Sequence, residues 1–365
     1  MRIFYDGQVY KIAPSRGISR YFASIISRLP ESYTPLLTTY ASEVNYPSHP
    51  NLQLFKYKKF RPGRLSYWLE KYYFNFVSNS NKFDLAHPTY YSLLSSQEIS
   101  KYSCPVVLTV WDMIYELFSE KMDPDGQQAE EKRKAIHAAQ TIICISESTK
   151  KDLLERHSLP ENKVKVTYLA SGINASIAYG SEPVPSRPYY LYVGSRDISY
   201  KNFDGLLSAF AKAVSVRPDL VLCVVGSPLN QMEKKLITEF KLANHIEHYS
   251  NANDCHLAKL YRCSIALVYP SLYEGFGIPP LEAMSCGTVT IAADCSSIPE
   301  VVGDAGILFN PRSTLDLADI LLSLLDNSLE RDRLIAKGHQ RAKMFSWDKT
   351  VAQTLDIYRS VARSK

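Results

Sequence analysis

Residues 270–287 read PSLYEGFGIPPLEAMSCG, directly after the apolar run 265–269. The stretch therefore begins at the carboxyl end of a strand. Gly275 and Gly277 permit backbone conformations and close approaches that other residues resist. Pro279 and Pro280 suit the first turn of a helix, where a backbone donor is dispensable, and Gly287 is a helix stop. Strand, glycine loop and helix in this order are parts of an α/β domain with a parallel sheet. The amides before that helix, together with its dipole, form a site for an anion or for hydroxyl groups.

Two carboxylates sit in this stretch, Glu274 in the loop and Glu282 in the first turns of the helix. Each can accept hydrogen bonds from vicinal hydroxyls, one pair on a hexose and one on a ribose. The plainer alternative is a solvated loop acid and a glutamate that complements the helix N-terminus. A second informative stretch is YLYVGSRDISYKNF, residues 190–203. A strand ends in Gly194, and Arg196 and Lys201 follow before a helix that starts near Asn202. Arginine offers a planar fork and lysine a point charge, a combination suited to a diphosphate. Taken alone, these read more readily as two solvated loop cations. Both stretches in one half of the chain, in this order, are far more specific than either by itself.

Outward from these segments, short β-type runs alternate with helical patterns in both halves. Strands are predicted at 2–5, 36–39, 83–87, 106–111, 141–145 and 164–167, and then at 190–193, 220–225, 266–269, 289–292 and 307–309. Helices are predicted near 17–29, 64–78, 126–138 and 147–156. The small, polar, Pro-rich stretch 171–188 is the best linker. It divides the chain into residues 1–171 and 172–346, each an α/β unit, with their sheets facing a central cleft. Ligands in such folds sit outside the carboxyl ends of the strands. A final helix, 347–365, completes the second unit or crosses back to the first.

The 365 residues are 45% apolar and 22% charged, a balance that suits two globular domains. The N-terminus, MRIFYDGQVY, runs straight into a strand-like stretch and reads as lacking a secretory leader. No run approaches the roughly 18 apolar residues of a membrane span. Seven scattered cysteines without CxxC spacing read as reduced thiols of a cytoplasmic protein. Residues 1–170 carry 22 Lys and Arg against 17 Asp and Glu, and the remainder 20 against 20. That excess is too small for a nucleic-acid footprint, but it suits a surface partner.

At this point the chain resembles the retaining family-four glycosyltransferases of bacterial polysaccharide biosynthesis. The resemblance rests on Gly194, Arg196, Lys201 and Asn202, on Glu274-Gly-Phe-Gly-Ile-Pro-Pro-Leu-Glu282-Ala-Met, and on SSIPEVVGDAG (296–306). Gly17-Ile-Ser-Arg-Tyr-Phe and SESTKKDL (146–153) add to it in the first half. It implies a GT-B fold of two Rossmann-like domains and a final helix that returns to the first. It implies transfer of a hexose from a nucleotide sugar to a glycan or lipid-linked acceptor, with retention and without a metal or other cofactor. UDP-glucose is the first choice of donor on family frequency, with GDP-mannose next.

By the same resemblance, Arg196 and Lys201 neutralise the leaving diphosphate, Glu282 holds the ribose and Glu274 the transferred sugar. Gly275, Phe276, Gly277 and Ile278 present amides to the donor, and Gly17 closes on the diphosphate from the first domain. Asn251 lies where the family reads the base. Two other readings stay open, a catalytically weak nucleotide-sugar-binding subunit and a GT-B sugar-nucleotide epimerase.

The chain departs from the family twice. Arg16 precedes Gly17 where a second glycine is common, and Trp111-Asp112 stands where the family reads His-Asp. Trp111 is expected to wall the sugar pocket, and Asp112 is a candidate acceptor-side base or a turn-forming acid. Asp123-Pro-Asp125 mimics a metal-binding DxD, but it lies in the turn signal DPDG and reads as a helix cap. His245, His248, Cys255 and His256 fit no common zinc spacing. Residues 56–76 combine basic residues with Leu65, Trp68, Leu69, Tyr72 and Phe76 on one helical side. That side is expected in the core; a peripheral contact with the inner face of a membrane, or with the acceptor, is the alternative.

Overall fold

The computed structural model describes residues 1–363 apart from 13–16, 42–45, 179 and 197–198. It divides into two compact units, Met1–Leu169 with Trp347–Lys365, and Ala170–Ser346. The final helix therefore belongs to the first unit.

The second unit holds the strands β8 (Tyr189–Val193), β9 (Val221–Val225), β10 (Ile246–Tyr249), β11 (Ala266–Tyr269), β12 (Val289–Ala293) and β13 (Ile307–Phe309). They form one parallel sheet in the order β10-β9-β8-β11-β12-β13. β8, β9 and β11 read as unbroken apolar runs, and β12 departs from one only at Thr290, because both faces of a parallel sheet are covered. Side chains alternate between faces. Tyr190, Tyr192, Leu222, Val224 and Val268 pack on one side with Leu206, Leu207 and Phe210 of the helix Phe203–Val216. Tyr189, Leu191, Val221, Cys223 and Leu267 pack on the other with Leu260 and Tyr261. The strand order reverses between β8 and β11, and loops at such a switch point leave the sheet in opposite directions and open a crevice.

The first unit holds β1 (Arg2–Asp6), β2 (Thr34–Tyr40), β3 (Gln53–Tyr57), β4 (Leu85–Ala86), β5 (Val107–Val110), β6 (Thr141–Cys144) and β7 (Val164–Val166). Two parallel sheets, β3-β2-β1-β4 and β5-β6-β7, meet through a bridge between Ala86 and Val106. Both units thus have the doubly wound Rossmann pattern. Two strands escape the sequence reading, β3 and β10. Both are sheet edges, half exposed and interrupted by polar residues (Gln53, Lys56, Glu247, His248), so neither shows the apolar run of a central strand.

The helix Gly63–Ser80 corrects a second expectation. It buries Ser66, Glu70, Phe74, Val77 and Ser78, whereas Leu65, Trp68, Tyr72 and Phe76 face solvent. Of the stripe expected in the core, only Leu69 packs against it, beside Tyr57, Phe74 and Leu94. Glu70 turns inward because Tyr40 donates its hydroxyl to it and Lys11 lies 3.7 Å away.

The final helix Trp347–Arg363 is held by a buried polar chain. His87 Nδ1 lies 2.6 Å from the Tyr358 hydroxyl, its Nε2 2.8 Å from Thr109 Oγ1, and Tyr358 meets the Tyr5 hydroxyl at 3.2 Å. Burial lowers the His87 pKa from 6.5 to about 3, so the fold holds a neutral imidazole. Its contribution to stability is complete above pH 6.5 and is lost as pH falls towards 3. Asp6 has the opposite sign: burial pushes it from 3.8 up to about 7, against hydrogen bonds from the Leu94 and Gln8 amides. Comparison of variants isolates the histidine. Below pH 6.5, wild type should lose up to about 1.4 kcal/mol per pH unit relative to a His87→Gln variant, measured by urea unfolding. Parallel pH profiles for the two chains would contradict this role.

Candidate active site

Two loops at the switch point of the second sheet carry most of the sequence-predicted residues. β8 ends in Gly194, whose φ of +150° is open to glycine. Its amide donates to Val225 O, and the Gly226 amide donates to Tyr249 O, which aligns the strand ends. A short helical turn, Ser199–Lys201, follows, and then Asn202 in the left-handed region at φ 52°. That strained backbone is offset by the Asn202 side chain. Its Nδ2 donates to Pro270 O at 3.1 Å and to Pro311 O at 2.8 Å, joining the loops after β8, β11 and β13. The Leu272 amide donates to Tyr200 O at 2.7 Å and ties the first two loops again.

The loop after β11 is clasped from its other side. Glu274 N donates to Ser296 Oγ at 2.9 Å, and Ser297 Oγ donates to the carbonyls of Glu274 and Phe276 at 2.8 and 2.7 Å. The serines that open SSIPEVVGDAG are therefore structural partners of the glutamate loop. Gly277, at φ +124°, begins the helix Ile278–Cys286. Pro279 and Pro280 carry no N–H, and Leu281 N closes on Gly277 O. Within the helix itself, the N-terminus thus offers an outside acceptor at most the Ile278 amide.

Within this frame Lys201 Nζ meets Glu274 Oε1 at 2.7 Å, with side chains 15% and 11% exposed. Tyr269, at the end of β11, is buried beside them. Burial raises its phenol far above the usual range, and a hydrogen bond to the Glu274 carboxylate adds to the shift. Glu282 has a similar support: the buried Tyr261 hydroxyl donates to its Oε2 at 2.9 Å. Burial, and then Glu282, keep that phenol protonated.

Arg196 is placed differently from Lys201. Its side chain is fully buried, Nε donates to Glu233 Oε1 at 2.9 Å, and Nη2 donates to Ser227 O. Nη1 is buried with no hydrogen-bond partner among the described residues, and lies against Gly226, where even a Cβ would approach it to 3.1 Å. Glu233 also closes a capping box with Asn230. Neither Glu233 nor Tyr261 was found from the sequence, although Asn230-x-x-Glu233 is a legible helix-start pattern.

Other predicted residues stand on other elements. Asn251 is exposed in the loop after the edge strand β10. Gly17 begins the helix Gly17–Ser27 and is exposed; Arg16 before it lies outside the described residues. Asp112 Oδ1 accepts from Ile114 N at 3.0 Å, the turn-forming arrangement. Trp111 is buried. Its ring meets Tyr21 edge-on at 4.9 Å and Phe22 at 6.1 Å. The indole is thus a packing group of the first unit, which corrects the expectation of a pocket wall.

The other motifs singled out in the sequence also resolve into packing. Asp123 accepts from the amides of Gln128 and Ala129, and Asp125 from that of Gln127, so both carboxylates cap a helix. His245, His248 and His256 each bond a backbone carbonyl, those of Leu220, Gly226 and Pro183. Among the described residues no cluster of His, Cys, Asp or Glu has the arrangement of a metal site.

Comparison with known proteins places this geometry. Residues 180–341 match the family described as glycosyl transferases group 1, and residues 15–170 match glycosyltransferase family 4. The chain is a family-four glycosyltransferase. It has the GT-B fold and is a hexosyltransferase by kinship. It is 28% identical to O-antigen chain mannosyltransferase B of Escherichia coli, over 83% of this chain and 79% of that one. It is 30% identical to an MMP α-(1→4)-mannosyltransferase of Mycolicibacterium hassiacum, over 61% and 54%. A solved Anabaena protein in complex with UDP and glucose shares the fold at a TM-score of 0.72 and 16% identity, covering 99% of this chain and all of that one.

In this glycosyltransferase the position of the family's strand-end histidine is filled by a core indole. Trp111→Ala is expected to cost about 3–5 kcal/mol of stability, because it empties a packed aromatic site. Guanidinium unfolding measures it; a cost below about 1 kcal/mol would return Trp111 to the surface of a pocket.

Proposed function

We propose that this glycosyltransferase transfers mannose from GDP-mannose to a growing glycan, with retention of configuration and without a metal. The observation that carries the reading is the Lys201–Glu274 pair at the carboxyl ends of the two central strands, with Arg196 Nη1 beside Gly226. In the proposed mechanism, a diphosphate oxygen takes the Lys201 ammonium from Glu274. The released carboxylate then accepts hydrogen bonds from the hydroxyls of the transferred sugar. Arg196 is fixed by Glu233 and Ser227 with its guanidinium fully buried, and lends positive charge to the diphosphate from beside Gly226 without touching it. Glu282, held by Tyr261, accepts from the ribose hydroxyls, and the Ile278 amide adds a neutral donor.

As the bond from the sugar to the diphosphate breaks, negative charge develops on the leaving group. Fixed cations stabilise it without reorganising at that moment. The acceptor hydroxyl attacks the face that the diphosphate leaves, and its proton passes to the diphosphate oxygen. Protein cations supply the charge that a metal supplies elsewhere, and Asp112 positions its own turn. Mannose is favoured over glucose because two relatives are named as mannosyltransferases. UDP-glucose is the second reading, supported by the UDP and glucose bound to the Anabaena neighbour.

Two outcomes follow. Lys201→Ala strands the Glu274 carboxylate and should lower the melting temperature. Assayed well below that temperature, it should lower turnover by about 10²–10³, the loss expected for one preorganised charge contact; near-normal turnover would remove Lys201 from the diphosphate site. In EDTA, GDP-mannose at about 100 times its Kd should stabilise the chain by roughly 2.7 kcal/mol and be slowly hydrolysed. Stabilisation by UDP-glucose alone would reverse the donor order, and activity that returns only with manganese or magnesium would overturn the metal-free mechanism.

A further inference from the structure

The helix Gly63–Ser80 presents to water the side chains that most helices bury. Trp68 and Tyr72 are each 63% exposed, Phe76 60% and Leu65 48%. Their spacing of three, four and four residues aligns them in one ridge. At 1.5 Å per residue the ridge is about 16 Å long. The Trp68 and Tyr72 rings lie parallel along it, 6.1 Å apart and inclined by 13°. The opposite face is anchored through Glu70 and Phe74, so rolling the ridge inward would break the Glu70 contacts with Tyr40 and Lys11 and expose Phe74.

Charge in the segment that carries the ridge has one sign. Lys56, Lys58, Lys59, Arg61 and Arg64 are exposed, and Lys71 sits beside the ridge with its ammonium 4.6 Å from the centre of the Tyr67 ring. From residue 46 to residue 80 the sequence has one acidic side chain, Glu70, and that carboxylate is buried. A continuous aromatic ridge in a segment whose exposed charges are all cations matches an anionic bilayer. Aromatic rings settle at the level of the headgroups and basic side chains meet the phosphates. No helix of the described residues is long and apolar enough to cross a membrane, so the contact is a surface one.

We propose that this ridge and its cations are a peripheral membrane-binding surface selective for anionic lipid. Leu65, Trp68, Tyr72 and Phe76 enter the interface while Arg61, Arg64 and the lysines hold the headgroups. The full chain sedimented with vesicles of phosphatidylglycerol and phosphatidylcholine, beside vesicles of phosphatidylcholine alone, tests it. Binding to the anionic vesicles that falls as salt rises is expected. The Trp68→Ser/Tyr72→Ser/Phe76→Ser variant should lose that binding at an unchanged melting temperature, since these side chains are exposed. Arg61→Glu/Arg64→Glu should weaken it at least about fivefold for each cation removed. No binding to the anionic vesicles at low salt, or equal binding by the triple variant, overturns the proposal. So does a wild-type dimer that the triple variant dissolves without any vesicle binding, because the ridge would then serve a second copy. Sedimentation needs no turnover, so this result stands apart from the identity of the donor.

Discussion

The geometry of the site hangs on one ion pair, Lys201 with Glu274, formed between loops that leave the sheet on either side of its switch point. Two opposite charges largely withdrawn from water are stable only in good geometry, and removal of one strands the other. The surrounding contacts all serve that requirement. Asn202 accepts a left-handed backbone so that its amide can bridge three loops, while Ser296 and Ser297 fix the backbone on both sides of Glu274. The carbonyl of Tyr200, next to the lysine, receives an amide from the glutamate's own loop.

Because each site charge already has a partner, the charged side chains of the site are held in place. Arg196 leans on Glu233 and on Phe203, whose ring lies 5.5 Å from the guanidinium carbon. Glu282 leans on Tyr261 and Glu274 on Tyr269. These buried phenols keep their protons and so remain donors to the carboxylates. Rigid supports of this kind lower the cost of ordering side chains when a ligand arrives. The exception is Lys201, whose partner is itself a proposed sugar ligand; there, binding must exchange one ion pair for another.

In the first unit the dominant constraint is different, a buried polar chain rather than a salt bridge. His87, Thr109, Tyr5 and Tyr358 satisfy one another across β1, β4, β5 and the final helix. A helix separated from these strands in sequence by the whole second unit is thereby tied into the first core. The same unit spends its inward helix face on Glu70 and Phe74, which leaves an aromatic ridge outside.

The sequence by itself determined the α/β class, the central strands and the loops that hold Arg196, Lys201, Glu274 and Glu282. Central parallel strands are apolar on both faces, and glycine and proline punctuate loops at fixed places, so local residue types carry that information. Tertiary structure alone decided the rest. The edge strands β3 and β10 are half polar and exist because a neighbour pairs with them. The periodicity of residues 65–76 marks a stripe but not its direction, which was set by the partners of Glu70 on other elements. Trp111 could wall a pocket or fill a core; Tyr21 and Phe22, distant in sequence, made it core. The supports of the site, Glu233, Tyr261 and Tyr269, are ordinary residues in ordinary patterns. They matter because the fold carries them within hydrogen-bond reach of a charge, a property of distance that no local pattern encodes.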